Sequence, residues 1–277
     1  MKEEDFRVIR VIGKGSIGKV LLVQERATDK YYALKSIKKS DLPTDRQRKV
    51  ARQERDIFIQ RIVQANCPFL AKMHASFQSS SHLFYLLDYY PGGDFATLLA
   101  QKGRLREAEV QFYAAEIVLG LEALRELGIV YRDLKPENIV VSGEGHLVLV
   151  DFGLGKVIEC PQICSLTKTF CGTAEYLAPE VLLGQAYGFS VDLWSPGTMI
   201  YEMLVGTPPY WAENPQEMYR KIVDARPVNF PPSVSKEAAD LIIKVLPTAE
   251  VLINYHGSFK KVVAFWTRRK DRIVVNR

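Results

Sequence analysis

Apolar and polar positions divide the chain into a first part with short strand-like runs and a second part with longer helix-like ones. In the first part, apolar runs alternate with Gly and Asp turns, which is typical of antiparallel strands. Between Thr44 and Gln64 the apolar residues instead recur at helical spacing. The pattern therefore predicts five antiparallel strands and one helix. The predicted strands lie at 6–13, 19–26, 30–37, 69–77 and 82–90.

The character of the chain changes after the turn PGGD at 91–94. An amphipathic segment at 108–128 and a strongly apolar one at 191–206 predict two long helices. We therefore expect an α+β protein with two lobes joined by a short hinge. The predicted boundaries are 6–88 for the sheet lobe, 88–92 for the hinge and 93–246 for the helical lobe.

Composition restricts the class of protein without naming it. The chain has 277 residues, of which 47% are hydrophobic, enough for a sizeable core. No apolar run approaches the roughly 20 residues that a membrane span needs, and the acidic, polar start does not resemble a signal peptide. Four cysteines in such a chain favour free thiols. We expect no membrane span and a location in the cytosol, with the nucleus as the alternative.

The net charge of +5 comes from the last residues alone. Residues 248–277 contain seven Lys or Arg and two Asp or Glu, and the remaining 247 residues contain 30 of each sign. The folded body is thus neutral, so we expect no nucleic-acid partner. Cys160 and Cys164 have no second Cys or His pair at zinc-finger spacing, which disfavours a structural zinc site.

The glycines at 13, 15 and 18 lie between two predicted strands, in the sequence IGKGSIGKV. Glycines at this spacing let a backbone approach phosphates closely, although any Gly-rich turn produces a similar pattern. No helix follows the third glycine, which argues against a dinucleotide-binding turn.

Lys35 and Glu54 form a candidate buried pair. Lys35 ends the apolar strand sequence YALK and, considered alone, would more simply point to water. Glu54 lies on the apolar face of the predicted helix, where a carboxylate is costly unless it is paired. Lys35 would suit as its partner and could also contact anionic phosphates.

Two polar segments next to apolar runs supply oxygen ligands and a cation. They are YRDLKPEN at 131–138 and VDFG at 150–153. Asp133, Asn138 and Asp151 offer the hard oxygens that Mg²⁺ prefers, and Lys135 offers a positive charge near a transferred phosphate.

In this order, the glycine loop, the strand Lys, the helix Glu, the two polar segments and LAPE at 177–180 resemble the protein kinase signature. The segments YYPGGDF and KTFCGTAEYLAPE are similar to the AGC group of serine/threonine kinases. The resemblance covers residues 6–246 and implies the bilobal protein-kinase-like fold. It also implies ATP and Mg²⁺ as cofactors, protein substrates with basic residues near the acceptor, and an upstream activating kinase.

The resemblance assigns roles to individual residues. Asp133 would accept the proton of the substrate hydroxyl, Lys135 would neutralise the transferring phosphoryl group, and Lys35 held by Glu54 would bind phosphates. Thr173 would mark the serine/threonine-directed form, Asn138 and Asp151 would hold Mg²⁺, and Thr169 would be the activating phosphorylation site. The substrate-binding acids would be Asp94, Glu137, Glu175 and Glu202. The nucleotide site would comprise Ile12, Gly13, Lys14, Gly15, Ser16, Ile17, Gly18, Lys19, Val20, Ala33, Lys35, Leu87, Asp88, Tyr90 and Val140. The residues aligning the two lobes would be Phe58, Met73, Tyr131 and Phe152.

Four features depart from the family pattern. Ile17 replaces the usual aromatic residue at the tip of the glycine loop, and Pro196 lies inside a predicted helix, at a cost of about 3 kcal/mol unless the helix bends. No arginine between Arg226 and Arg268 is available to pair with Glu180, so we expect that carboxylate to be unpaired or exposed to water. Residues 247–277 form a basic tail that matches nothing in the family, and the helical lobe is expected to be incomplete.

These departures leave two hypotheses. One is an active serine/threonine kinase, which the complete set of catalytic residues favours. The other is a catalytically impaired, nucleotide-binding kinase-like protein or a truncated gene product, which the altered end favours. The tail itself is interpreted either as a regulatory segment or as the product of a frameshift or altered splicing.

Overall fold

The structure is a computed structural model, and it describes residues 1–15, 18–158 and 166–246. Its first lobe is built on five strands, which are β1 (Phe6–Gly15), β2 (Gly18–Glu25), β3 (Tyr31–Lys38), β4 (Met73–Gln78) and β5 (His82–Asp88). They form one antiparallel sheet with the strand order β1-β2-β3-β5-β4. The predicted five-stranded sheet is thereby confirmed.

The hairpin between β1 and β2 carries the glycine-rich segment. Gly15 pairs with Gly18 at its end, and residues 16 and 17 lie outside the described part of the chain. A Cβ atom at Gly18 would lie 2.5 Å from the carbonyl oxygen of Ser36, so β3 leaves no room for a side chain there. A Cβ atom at Gly15 would meet no atom within 4 Å.

Helix α1 (Asp45–Ile57) begins with a capping box. The Thr44 hydroxyl accepts a hydrogen bond from the Gln47 backbone N–H, and the Gln47 side chain accepts one from the Thr44 N–H. The helix was predicted to run without interruption to residue 64. Instead, a π-helical turn (Phe58–Ile62) separates it from the short α2 (Val63–Ala65). Periodicity alone does not reveal a π turn because the turn inserts only one residue.

The second lobe is mainly helical. Its helices are α3 (Phe95–Lys102), α4 (Glu107–Glu126), α5 (Pro179–Leu182), α6 (Val191–Val205), α7 (Pro215–Val223) and α8 (Lys236–Val245). Helix α6 is buried along most of its length and packs against both α4 and α8. It continues through Pro196 to a left-handed C-cap at Gly206.

Two small antiparallel sheets of two strands each flank the polar segments. Strand β6 (Ile129–Val130) pairs with β9 (Lys156–Val157), and β7 (Ile139–Val141) pairs with β8 (Leu147–Leu149). The polar segment 131–138 therefore lies between β6 and β7, and Asp151 follows β8 by two residues.

The hinge is attached to strand β7. The Gly92 N–H donates to the Val141 carbonyl at 3.0 Å, and the Val141 N–H donates to the Gly93 carbonyl at 2.9 Å. A Cβ atom at Gly92 would lie 2.6 Å from the Val141 oxygen, so only glycine fits this contact.

No helix within the described residues is both long and apolar enough to cross a membrane. A groove of about 410 Å³ lies beside α1 and is lined by apolar residues of the sheet together with cationic side chains. These cations are Lys39, Arg48, Arg52 and Arg55. The groove is separate from the acidic and amide groups between the lobes.

Candidate active site

The strand Lys and the helix Glu form a buried ion pair. Lys35 Nζ lies 2.6 Å from Glu54 Oε1 and 3.3 Å from Asp151 Oδ1. The predicted pairing of Lys35 with Glu54 is therefore present. Strand β3 supplies the cation, α1 supplies one carboxylate, and the segment after β8 supplies the other.

Burial and charge act in opposite directions on this cluster. Burial alone would lower the pKa of Lys35, but Glu54 and Asp151 together outweigh it and raise that pKa. Burial raises the pKa of Glu54 despite the neighbouring ammonium. For Asp151, burial is outweighed by Lys35 and the Gly153 N–H, so its pKa is lowered and the carboxylate stays ionised.

Asp133 is the centre of a second network. Its Oδ1 accepts a hydrogen bond from the Thr173 hydroxyl at 2.8 Å, and its Oδ2 accepts one from Asn138 Nδ2 at 2.7 Å. Lys135 Nζ donates to the same Thr173 hydroxyl at 2.8 Å and lies 3.3 Å from Asp133 Oδ2. The four side chains thus fix one another, although Thr173 is 40 residues away from Asp133 in sequence.

Asp192, on α6, holds the backbone that leads to Asp133. Its two carboxylate oxygens accept the N–H groups of Tyr131 at 2.7 Å and Arg132 at 2.8 Å. Arg132 has φ of 69°, in the left-handed region, which costs on the order of 1–3 kcal/mol for a residue other than glycine. The clamp from Asp192 offsets this cost. Burial raises the pKa of Asp192 to about 6, although the two N–H groups and the charge of Arg132 oppose the shift.

The predicted magnesium ligands retain free oxygens. Asn138 uses its amide nitrogen toward Asp133, and Asp151 uses Oδ1 toward Lys35 and Gly153. Within the described residues, Asn138 Oδ1 and Asp151 Oδ2 accept no protein hydrogen bond, so both could ligate a cation. No group of three or more His, Cys, Asp or Glu suited to a metal occurs in the same part of the chain. An Asp with an Asn amide suits Mg²⁺, which usually completes its shell with waters and substrate phosphates.

The residues predicted to bind the nucleotide lie mainly on β1, β2, β3 and β5, with Val140 on β7. Ala33 is buried and pairs in register with Leu87, while Val20 and Val140 are half-buried. Gly13 lies against Val20, and Lys14 and Lys19 are exposed on the hairpin. Ser16 and Ile17 lie outside the described residues. The replacement of the usual aromatic residue by Ile17 therefore stays an observation from the sequence.

Asp88 and Tyr90 lie at the predicted hinge. The Asp88 side chain is occupied by His74, whose Nε2 lies 2.6 Å from Asp88 Oδ1. The Tyr90 backbone N–H makes no hydrogen bond to any of the described residues, so it is available to a ligand. Burial and the neighbouring Asp88 raise the pKa of the Tyr90 phenol, which stays neutral.

An aromatic column connects the lobes. The ring of Phe58 on the π turn lies edge-on to Phe152 at 4.9 Å between centroids, and Phe152 lies edge-on to Tyr131 at 5.6 Å. All three are buried, as is Met73. Such aromatic pairs contribute about 0.5–1.5 kcal/mol beyond burial of their area, so they favour the arrangement in which the two lobes are aligned.

Three of the four predicted substrate acids lie around one tyrosine. The Tyr176 hydroxyl donates to Glu202 Oε2, and Glu137 and Glu175 lie close enough to contribute to the raised pKa of that phenol, which burial dominates. Asp94 has another contact: its carboxylate caps α3 by accepting the Thr97 N–H at 2.7 Å. The structure therefore groups Glu137, Glu175 and Glu202, and it records no contact of Asp94 with them.

Glu180 was expected to be unpaired or exposed to water, and the second alternative is wrong. The residue is only 5% exposed and lies in the first turn of α5. Its Oε1 accepts a hydrogen bond from the Ser190 hydroxyl at 3.0 Å, and its Oε2 has no partner within the described residues. Residues 247–277, which carry the tail cations, lie outside that part of the chain.

Sequence reasoning overlooked Asp192 and Tyr187. Asp192 is an isolated acid in an apolar helix, and the cost of burying such a group, used above for Glu54, would have singled it out. For Tyr187 no local signal exists, because its importance comes from contacts with residues 16 to 55 positions away.

Comparison with known proteins agrees with this geometry. A family model described as the protein kinase domain matches residues 6–250. Sgk1-A, a serine/threonine-protein kinase of Xenopus laevis, is 43% identical over 241 residues, which cover 87% of this chain and 54% of the relative. Protein kinase 2 of Dictyostelium discoideum is 44% identical over 249 residues, covering 90% and 50%. YPK1, a serine/threonine-protein kinase of Saccharomyces cerevisiae, is 42% identical over 258 residues, covering 92% and 37%.

The chain spans about half the length of these relatives, or less. The relatives support the assignment to the AGC group that the motifs indicated. The match of the family model and the level of identity lead to one conclusion: this chain belongs to the protein kinase family.

Proposed function

We propose that the chain transfers the γ-phosphate of ATP to serine or threonine hydroxyls of protein substrates. The observation that supports this function most directly is the network around Asp133, in which Thr173, Lys135 and Asn138 fix the carboxylate from three sides. A carboxylate oriented in this way can accept the proton of a substrate hydroxyl as that hydroxyl attacks phosphorus.

The other roles follow from position and charge. Lys35, kept cationic by Glu54 and Asp151, would bind phosphate oxygens, and Lys135 would offset the charge that develops on the transferring group. Asn138 and Asp151 would hold Mg²⁺, which would supply positive charge to offset that of the phosphates. The glycine hairpin would cover the phosphates, and Val20, Ala33, Leu87 and Val140 would enclose the base, with the backbones of Asp88 and Tyr90 facing its edge.

We also propose a preference for basic residues on the N-terminal side of the acceptor, on the basis of the acids around Tyr176. Thr169 is proposed as an activating phosphorylation site, which requires an upstream kinase. Thr169 is exposed. The Tyr187 hydroxyl connects it to Arg132, because this hydroxyl donates to the Thr169 carbonyl and accepts from Arg132 Nη1. A location in the cytosol, or alternatively the nucleus, stays a prediction from the sequence.

The alternative function, nucleotide binding without transfer, is disfavoured because the Lys35–Glu54 pair and the network around Asp133 are both formed. Transfer of γ-labelled phosphate to a basic protein substrate, measured beside ATP-induced thermal stabilisation, distinguishes the two functions. We expect Asp133→Asn to lower the transfer rate at least about 100-fold while ATP still stabilises the protein. Wild-type protein that is stabilised by ATP but transfers nothing would establish the alternative.

A further inference from the structure

Tyr187 joins the loop before α6 to the segment that precedes Thr173. Its backbone forms an antiparallel bridge with Thr167: each N–H donates to the other residue's carbonyl at 2.9 Å. Its side chain is 2% exposed. The segment 166–171, which we call the activation strand, is therefore attached to the helical lobe at a buried residue.

The Tyr187 hydroxyl makes three contacts at once. It donates to the Thr169 carbonyl at 2.5 Å, it accepts from Arg132 Nη1 at 3.4 Å, and it lies 3.8 Å from Cys171 Sγ. A phenol has one proton and two lone pairs, so these contacts use its whole capacity. Burial raises its pKa to about 12, so the proton donated to Thr169 is retained at neutral pH.

These contacts connect the activation strand to the residues of the candidate active site. Arg132 immediately precedes Asp133, and Cys171 is two residues before Thr173, which bonds Asp133 and Lys135. Arg132 Nε donates to the Leu154 carbonyl at 2.7 Å, and none of the described carboxylates forms an ion pair with Arg132. Among the described residues, the Arg132 guanidinium is therefore held by neutral oxygens, and one of them is the phenol.

We propose that Tyr187 is a positioning residue for phosphoryl transfer: its hydroxyl fixes the activation strand against Arg132 while Thr169 carries no phosphate. The proposal rests on the proposed kinase function. In the unphosphorylated protein, the phenol holds the Thr169 carbonyl and Arg132 together, and thereby keeps Thr173 in reach of Asp133. A phosphate on Thr169 would add a second, ionic connection to Arg132 and make the phenol less necessary.

Tyr201 provides a matched control. It is also a buried tyrosine of the helical lobe, and its hydroxyl donates to the Asn229 carbonyl at 2.8 Å. Replacing either residue with Phe removes one hydroxyl and keeps the ring. If Tyr187 merely stabilised the lobe, the two variants would behave alike.

The test compares the full-length wild type, Tyr187→Phe and Tyr201→Phe by amide hydrogen exchange and by steady-state kinetics with ATP and a basic peptide. We expect Tyr187→Phe to speed exchange in residues 166–171 about tenfold, as expected for loss of one net hydrogen bond. Its kcat should fall several-fold while its KM for ATP stays within about twofold, and Tyr201→Phe should change neither quantity.

Tyr187→Phe is also measured in two further forms of the protein, to identify which contact of the hydroxyl matters. In a Thr169→Ala background the effect of Tyr187→Phe should persist, because the bond reaches a backbone carbonyl, whereas in Thr169-phosphorylated protein it should shrink. Unchanged exchange in Tyr187→Phe, an equal effect of Tyr201→Phe, or faster exchange with unchanged kcat would each overturn the proposal. If the wild type transfers no phosphate, the proposed function fails separately, and the exchange data still decide whether the hydroxyl fixes the strand.

Discussion

Two buried carboxylates of the helical lobe, Asp192 and Glu180, are accommodated in different ways. Asp192 accepts two backbone N–H groups and thereby supports the left-handed conformation of Arg132. Glu180 accepts one hydroxyl and keeps one oxygen without a partner among the described residues. Burial of a carboxylate costs free energy in either case, so substitution of each residue should measurably change stability or activity.

For Asp192 we expect stability and activity to change in opposite directions as the pH rises. Its pKa is raised to about 6 in the folded protein, so between about pH 4 and 6 the folded state binds more protons than the unfolded state. Its contribution to the free energy of unfolding therefore decreases as the pH rises through that window. Activity should increase over the same window, because only the carboxylate accepts both N–H groups.

Denaturant unfolding and kcat, both measured from pH 4.5 to 8, test this prediction. Asp192→Asn should remove the corresponding part of the pH dependence of stability and lower kcat by about tenfold or more, since its amide offers only one acceptor. If wild type and variant have parallel stability profiles, Asp192 does not titrate in this range.

For Thr169 we expect a change in turnover and not in nucleotide affinity. Phosphorylation adds nearly two negative charges, and a charge-assisted hydrogen bond to Arg132 contributes about 1.5–3 kcal/mol. After treatment with an activating kinase, Thr169→Ala should therefore be at least about tenfold less active than wild type while its Kd for ATP is unchanged. Thr169→Ser, which keeps an acceptor hydroxyl, is the control, and equal turnover in all three proteins would argue against the site.

At the scale of elements, the acids around Tyr176 come from separate parts of the chain. Glu137 lies before β7, Glu175 lies in the turn before α5, and Glu202 lies on α6. Burial raises the pKa of Glu202, and the hydrogen bond from the Tyr176 hydroxyl opposes this shift only in part. Burial deprives the Glu202 carboxylate of water. The guanidinium group of a substrate arginine would replace that water with two parallel N–H···O hydrogen bonds, which is a common geometry of arginine–carboxylate pairs.

Glu202→Gln should therefore lower kcat/KM about tenfold or more for peptides with Arg upstream of the acceptor, and much less for peptides without Arg. Glu217→Gln on α7, where the exposed Glu217 carboxylate pairs with the half-buried Lys221, is the control. A peptide library that shows no enrichment of basic residues upstream of the acceptor would contradict the preference itself.

How far the sequence predicts these elements depends on the range of the contacts. The meander, the hinge and the long helices follow from local periodicity, and the Lys35–Glu54 pair follows from the cost of a buried acid. The π turn at Phe58 does not, because a single extra residue hardly disturbs the apolar pattern. Nor do the clamp from Asp192 and the Tyr187 contacts, because they join residues up to about 60 positions apart that only the tertiary fold brings together.

At the scale of the whole molecule, substitution of Glu180 can show whether residues outside the described part of the chain help to stabilise the helical lobe. No described cation pairs with it, so Glu180→Gln should leave the free energy of unfolding unchanged or raise it. Glu54→Gln is the contrasting variant: Glu54 is equally buried but paired with Lys35, and its substitution should destabilise the protein.

Denaturant unfolding of both variants gives the comparison. A loss of about 3–5 kcal/mol for Glu180→Gln would mean that a cation outside residues 1–15, 18–158 and 166–246 reaches this carboxylate. In that case the basic residues of 247–277 would be part of the fold.

The contact between Gly92 and strand β7 also limits how the lobes can move. Two backbone hydrogen bonds fix residues 92 and 93 to Val141, and the lack of space for a Cβ atom keeps the two backbones in contact. On the other side, β5 extends to Asp88, whose carboxylate is held by His74. We therefore expect any rotation that opens or closes the cleft to be concentrated in the torsion angles of residues 89–91. The two lobes would then rotate about these three residues, and a base bound at the hinge would lie where the displacement is smallest.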